Sequence, residues 1–394
     1  MVGAGPAGGE LARLLAMAGV DVVLVDRLGD LRQAAFSSAA LPLETLQRFG
    51  LPPQVVAARW RGWRLLGPGR QEREWSAEQP LGAVLDFGAL RQWLADQACG
   101  WGARLHLGVV AEGWRREGEV ACTWLRGRDG RRWSLRSRWV VDASGEGRAL
   151  IGEPRSTARH GRAADPLVAG VGVEWLLQVS PEIAASWADR LSFCLGSDWV
   201  QQGYGWVFPM APGHLKVGVC RLIDAGRSQP PLAQELSRLL QRTDLAGARV
   251  LDRHGGRIRS TVHRREAHRQ GPLIGLGDAV STANLLGGEG IRHALASARV
   301  LAPLLLQALA NPGATQLARY PVLLRRQLGW RWGLSGRLAR RTWLGLVGER
   351  ADQRLDRLLT GLQQNRAEDL SALLFGYRFE RYGLKALPYL LGWR

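Results

Sequence analysis

The first 26 residues constrain this chain more than any other segment. Gly3-Ala-Gly-Pro-Ala-Gly8 is a GxGxxG turn, Pro6 to Met17 has helical apolar spacing, and Asp21-Val-Val-Leu-Val-Asp26 reads as a buried parallel strand ending in a carboxylate. The motif means little alone. Followed at once by a helix, then by a strand with an acid about twenty residues on, it marks a βαβ dinucleotide site. Gly3 permits the tight turn, Gly5 lets the backbone approach a pyrophosphate, and Gly8 lets the helix pack on the sheet. Amides at the helix start meet the phosphate charge, and Asp26 suits the adenosine ribose hydroxyls while repelling a 2′-phosphate. Only Met1 and Val2 precede Gly3, so the native start is expected a few residues upstream.

A second constellation lies near the other end. Leu273-Ile-Gly-Leu-Gly277-Asp278-Ala279 reads as a strand ending in Gly-Asp, and Asn284-Leu-Leu-Gly287-Gly-Glu-Gly290-Ile291 opens a long helix. Asp278 suits a ribityl hydroxyl. Amides at Gly290 and Ile291 suit the pyrimidine end of an isoalloxazine, where the reduced ring carries negative charge. Together the two segments specify one extended flavin dinucleotide.

At 394 residues the chain exceeds one comfortable core. The net charge is +18, and the bases are almost all arginine, with Lys216 and Lys385 the two lysines. From Ala314 onward 15 basic residues face 6 acidic ones, so half the excess sits in the last fifth. This points to an anionic membrane surface, a diphosphate substrate or an acidic electron donor, against a codon bias for arginine as the plain alternative. No recognition motif accompanies the charge, so nucleic acid is not expected. Cys99, Cys122, Cys194 and Cys220 are widely spaced, so neither a disulfide framework nor a metal site is expected. The N-terminus lacks a secretory pattern. The longest apolar run, Val300 to Ala310, is short for a bilayer span and holds Pro303 and Gln307. The expected location is cytoplasmic, or peripheral on a membrane.

Between the motifs, Leu85 to Cys99 reads as a helix and Ala103 to Val110 as a strand. Alternation through Glu119 to Leu125 and Trp133 to Val141 reads as a meander, and Leu167 to Leu222 as a second, aromatic sheet. Beyond Asn311-Pro312-Gly313 the pattern is helical. The lone histidines His214 and His293 read as core or surface residues rather than catalysts.

These motifs, with Val140-Val-Asp142-Ala-Ser-Gly145 between them, resemble the p-hydroxybenzoate hydroxylase-type FAD-dependent oxidoreductases. Tyr204-Gly-Trp206-Val-Phe208-Pro209 followed by Gly218-Val-Cys220, Glu289 within Gly-Glu-Gly-Ile, and Leu374-Phe-Gly-Tyr-Arg-Phe-Glu380 resemble the geranylgeranyl reductase group within them. The resemblance implies an α/β fold: a Rossmann-like FAD-binding domain, an inserted mixed or antiparallel-sheet substrate domain, and a C-terminal helical region. The expected boundaries assign 1–60, 85–155 and 261–312 to FAD binding, 61–84 and 156–260 to the substrate domain, and 313–394 to the helical region. FAD is the implied cofactor, reduced by NAD(P)H or a ferredoxin-type donor. Its ligands are expected among Gly3, Gly5, Pro6, Ala7, Gly8, Asp26, Arg27, Arg91, Val110, Gly277, Asp278, Gly290 and Ile291.

Tyr204, Trp206 and Phe208 alternate along one strand, so they project to one face. With Pro209 they are expected to wall an apolar substrate pocket, Tyr204 offering a proton; the bland alternative is that they pack a sheet core. The implied reaction is reduction of a carbon-carbon double bond in an isoprenoid or similar molecule. An FAD monooxygenase using NAD(P)H and O₂, and a non-redox cyclase-like or lipid-binding relative, are the alternatives. Three departures stand out. The thiol such reductases carry after the second strand is missing from Ala35-Phe-Ser-Ser-Ala-Ala40. Phe87 replaces the superfamily's arginine, leaving Arg91 as its substitute. Cys220 stands for the last glycine of the substrate motif, and Leu285 for a common proline.

Overall fold

Met1 and Val2, though only two residues, fill the central strand position of a parallel sheet. Val2 bridges Val25 on one side and Asp142 on the other, both in parallel. Its amide donates to the Val141 carbonyl at 2.9 Å and its carbonyl accepts from Ala143 at 2.8 Å. In the computed structural model the described residues are 1–33, 37–153, 167–263, 265–311 and 315–380. They group into two units, one from 1–35, 87–168 and 258–333, the other from 36–86, 169–257 and 334–394. Residues 37–60, expected with the cofactor-binding part, pack in the second unit, because strands Ala40–Pro42 and Val56–Trp60 both pair with Gly82–Leu85.

In the first unit the sheet runs Arg104–Leu107, Val23–Asp26, Met1–Val2, Val140–Asp142, Leu273–Gly275 and Arg269–Gln270. All neighbours are parallel except the last. Strands with both faces covered read as continuous apolar runs, which is why Val23–Asp26 and Val140–Asp142 lack alternation. Pro6–Met17 starts on Pro6, which a first helical turn tolerates. A methyl added at Gly9 would stand 2.9 Å from the Leu94 Cβ, so a glycine is what lets Phe87–Gly100 approach this closely. The meander is Val109–Glu117, Val120–Gly127 and Arg132–Ser137, antiparallel throughout.

Helix Ile291–Ala310 is nine residues longer toward its N-terminus than the apolar run suggests. At 20 residues it meets the length and composition of a membrane span, yet 61% of that window is buried within the protein. Its Arg299 reaches Glu10 on Pro6–Met17 at 2.9 Å, and Arg13 holds the same carboxylate at 2.9 Å. It is the core helix of this unit.

The second unit is built on seven strands in the order Arg249–Thr261, Leu167–Gln178, His214–Leu222, Gly203–Pro209, Arg190–Leu195, Gly62–Leu66 and Glu72–Ser76. One face packs Val207, Val217 and Val219 against helix Leu232–Arg242. The other packs Trp63, Tyr204, Trp206 and Phe208 with Leu359, Leu362 and Leu370 of helices Glu349–Leu362 and Ala367–Leu374. Indole donors fasten these helices: Trp63 Nε1 to the Ala367 carbonyl at 3.1 Å, Trp75 Nε1 to the Leu362 carbonyl at 3.2 Å. The helical reading beyond Asn311 therefore holds through Leu374, and residues 381–394 lie outside the described ones.

Candidate functional site

In the first unit, strand Val23–Asp26 delivers Asp26 beneath the glycine turn. Its Oδ2 accepts the Ala4 amide at 2.7 Å and its Oδ1 the Leu28 amide at 2.8 Å, so the carboxylate ties the turn to the strand end. Gly3 has φ +102°, and a Cβ there would meet the Ala143 carbonyl oxygen at 2.3 Å. A Cβ on Gly8 would stand 1.9 Å from the Gly3 carbonyl oxygen. Gly5 differs: no protein atom lies within 4 Å of where its Cβ would be. Two of the three glycines are thus required by the protein itself, and the third borders open space. No side chain caps the start of Pro6–Met17, and its first turn carries no acid, so its amides are left for an anion.

Arg91 lies in the same neighbourhood. It is buried, its Nη2 donates to the Gln33 carbonyl at 2.6 Å, and its guanidinium stacks over Phe87. Burial pulls its pKa down while Asp26 and Asp30 pull it up. Its Nε is buried without a hydrogen-bond partner, an unmet donor that an anionic ligand would satisfy. Arg27 is exposed, and so is Val110, near the turn where the Gly108 amide donates to the Leu28 carbonyl at 2.7 Å.

Asp142 of the segment already singled out is joined in a support by Arg148, Glu266 and Ser281, which sequence reading missed. Asp142 is fully buried and accepts four bonds, from the Ser144 amide and hydroxyl and the Leu150 and Ile151 amides. Arg148 pairs with the buried Glu266 at 2.8 Å and donates to the Ser281 hydroxyl at 2.8 Å. Ser281 closes the turn Gly277–Val280 with φ +59°. That network positions Asp278, whose Oδ1 accepts the Thr282 hydroxyl at 2.8 Å. Burial raises the Asp278 pKa. A Cβ on Gly290 would lie 3.3 Å from Asp278 Oδ2, so the acid sits at the start of Ile291–Ala310, a helix also without a side-chain cap. Glu289, buried beside Arg292 and His293, has its pKa drawn to about 2: burial opposes this, and the two bases outweigh it. His293 is a core residue, edge-on to Trp332. His214 holds the Pro212 carbonyl at a turn.

The aromatic strand belongs to the second unit, where its residues pack in a core cluster with Leu359, Leu362 and Leu370. Tyr204, Trp206 and Phe208 share a face and are all buried, with Phe193 between them: ring centroids 5.7 Å to Tyr204 and 5.2 Å to Phe208. Pro209 ends the strand opposite Leu215. A Cβ on Gly218 would meet Trp206 Cζ2 at 2.2 Å, so the indole lies flat across that glycine. Its Nε1 donates to Glu174 Oε2 at 3.0 Å. The Tyr204 hydroxyl contacts the Cys220 thiol, and burial holds the tyrosine well above 10 and the thiol at about 12. Cys220, the departure from the usual glycine, therefore occupies the tyrosine's hydroxyl, and that proton is held hard. Ala35 and Phe36 lie outside the described residues. Among the described residues no cluster of three or more His, Cys, Asp or Glu is set to hold a metal.

A helix start with free amides, an unmet buried arginine donor, open space at Gly5 and a carboxylate at a second helix start define a flavoprotein of the dinucleotide-binding class. The FAD binding domain family matches residues 1–331, and the chain belongs to that family. It is an FAD-dependent oxidoreductase. The chain is 28% identical over 394 aligned residues to the digeranylgeranylglycerophospholipid reductase of Haloferax volcanii, covering 94% of this chain and 90% of that one. It is 28% identical over 362 residues to the menaquinone reductase of Mycolicibacterium smegmatis, covering 86% and 83%. Its fold matches that of a geranylgeranyl bacteriochlorophyll reductase-like protein from Thermoplasma acidophilum with a TM-score of 0.80, at 20% identity and 97% and 96% coverage.

Proposed function

We propose that this enzyme saturates carbon-carbon double bonds in an isoprenoid chain or a comparable apolar molecule. The observation that carries this reading is the wall of Tyr204, Trp206 and Phe208, with the indole pinned flat by Gly218 and Glu174. That face is buried in the protein's own core cluster, and its aromatic, nearly apolar make-up is what suits a prenyl chain. Two of the compared proteins are named for geranylgeranyl groups, which supports the same substrate class.

Gly3, Gly5, Pro6, Ala7 and Gly8, with Asp26, Arg27, Arg91 and Val110, would hold the ADP half of FAD. Gly277, Asp278, Gly290 and Ile291 would hold the ribityl chain and ring. When bound, the flavin supplies the hydride. The chain supplies orientation and dryness, and the start of helix Ile291–Ala310 favours the negative charge that comes with reduction. NAD(P)H or a ferredoxin-type protein is the proposed reductant. A cytoplasmic enzyme of this kind must meet a lipid, and the exposed Arg325, Arg326 and Trp330 suit an anionic membrane surface.

The test is incubation of chemically reduced enzyme with a geranylgeranyl lipid without oxygen, followed by mass spectrometry. Product heavier by two hydrogens per double bond supports the reading. Unchanged lipid, with product heavier by one oxygen when NADPH and air are admitted, would instead make it a monooxygenase.

A further inference from the structure

We propose that Arg128 is an adenine-binding residue: the open face of its guanidinium receives the base of the dinucleotide whose ribose meets Asp26. This contact rests on the placement of the ADP half at the glycine turn, proposed above. Arg128, Asp26 and the glycine turn all belong to the first unit.

The place is set by two strand ends. Val23–Asp26 and Arg104–Leu107 run parallel, with Asp26 opposite Leu107, and both leave the sheet at the edge where parallel α/β sheets take their ligands. The two exits are tied together. Asp26 Oδ1 accepts the Leu28 amide at 2.8 Å, and the Leu28 carbonyl accepts the Gly108 amide at 2.7 Å. Arg128 reaches this point from the meander, one residue past Gly127, which lies opposite Val109.

Its side chain crosses both exits, and a glycine admits it at each. A Cβ on Gly108 would stand 3.1 Å from Arg128 Cδ and 3.2 Å from Cγ, so the stem runs over that residue. A Cβ on Gly29 would stand 2.4, 2.7 and 3.0 Å from Nη1, Cζ and Nη2. One point that close to three atoms of a planar group lies above the plane, not at its tip. The guanidinium therefore rests flat on Gly29.

No protein acid claims it. Five arginines of the meander are paired, Arg115 and Arg136 with Glu117, Arg126 and Arg132 with Glu112, and Arg116 with Glu119. The adjacent Asp129 uses its Oδ1 on the Arg131 amide at 3.0 Å. Among the described residues Arg128 has neither an ion pair nor a hydrogen bond, and it is exposed. One face of the plane is backed by Gly29 and the other is open.

A guanidinium laid flat with one side open is a platform for another planar π-system, and this is what separates arginine from lysine. Adenine is such a system, and bases stack on arginine planes in nucleic-acid sites. A 2′-phosphate is the other group an arginine at a strand end would accept, but the charge of Asp26 opposes it. The exposed Val110 adds apolar surface beside the same exit.

The test titrates flavin-free apoprotein with FAD by fluorescence. Arg128→Ala should raise the Kd for FAD about tenfold or more, with the melting temperature of the apoprotein unchanged. Arg128→Lys keeps the stem and the charge but loses the plane, so it should bind FAD as weakly as Arg128→Ala. Gly29→Ala, whose methyl would displace the guanidinium, should cause the same loss alone and add little to it in the Arg128→Ala background. Wild-type affinity in Arg128→Ala or Arg128→Lys, or losses that add, overturns the assignment and leaves the ADP placement standing. So does a loss of affinity that comes with a lower apoprotein melting temperature. Gly5→Leu protein that keeps its FAD overturns the ADP placement, and the adenine contact with it.

Discussion

Gly277 and Ala7, 270 positions apart, pack directly on each other: a Cβ on Gly277 would come within 2.7 Å of the Ala7 Cβ. The loop that carries Asp278 thus rests on the helix that opens at the glycine turn. Gly277 also has φ +64°, so the position is closed to a side chain by backbone and neighbour alike. The ion pair of Glu10 with Arg299 fastens that helix, Pro6–Met17, to Ile291–Ala310 farther along. One rigid seat therefore carries the proposed contacts at both ends of the dinucleotide.

The glycines of the opening turn should separate by experiment. The Cβ of Gly5→Leu would have no protein atom within 4 Å, so the variant should fold with nearly wild-type stability yet purify colourless. Gly8→Ala forces a methyl into the Gly3 carbonyl and should lower the melting temperature or abolish soluble expression. Thermal unfolding with flavin absorbance checks both; a yellow Gly5→Leu protein would move the pyrophosphate elsewhere.

Acid stability should depend on Glu289. Its folded pKa of about 2 lies below the unfolded 4.5, so its contribution is present above about pH 4.5 and disappears as pH falls toward 2. That difference is worth at most about 3 kcal/mol. Denaturant unfolding across this range should show a shallower acid loss for Glu289→Gln than for wild type. Equal slopes would mean that Arg292 and His293 do not hold the carboxylate in solution.

On the aromatic face, Gly218→Ala should displace the Trp206 indole and break its bond to Glu174. The expected result is a raised KM for the apolar substrate with FAD content unchanged. Tyr204→Phe frees only the Cys220 thiol, so turnover should stay within about threefold of wild type. A large loss of turnover with FAD retained would restore Tyr204 as the proton donor.

Binding to anionic vesicles should weaken steeply with added salt and fall further in Trp330→Ala. Co-sedimentation that is indifferent to salt would rule out the electrostatic form of membrane attachment.

What sequence could reveal here was whatever stays local. The glycine turn, Asp26 at the strand end, and Gly277-Asp278 ahead of Gly290 are each set by a few neighbouring residues. Pairings across the chain left no such trace. Arg148 with Glu266, Glu10 with Arg299 and Trp206 with Glu174 join residues far apart in sequence, and each half alone looks like an ordinary charge or aromatic. Cys220 read as a mere departure, because its meaning lies in the Tyr204 hydroxyl on the adjacent strand. Residues 37–60 were assigned by order along the chain, whereas strand pairing with Gly82–Leu85 decides where they pack.

The most direct test is a single turnover without oxygen. Fully reduced enzyme is mixed with a geranylgeranyl lipid while flavin absorbance and double-bond loss are followed together. The oxidised spectrum should return in step with the loss of one double bond per flavin. Flavin that stays bleached until air is admitted, with the lipid untouched, would contradict the central claim.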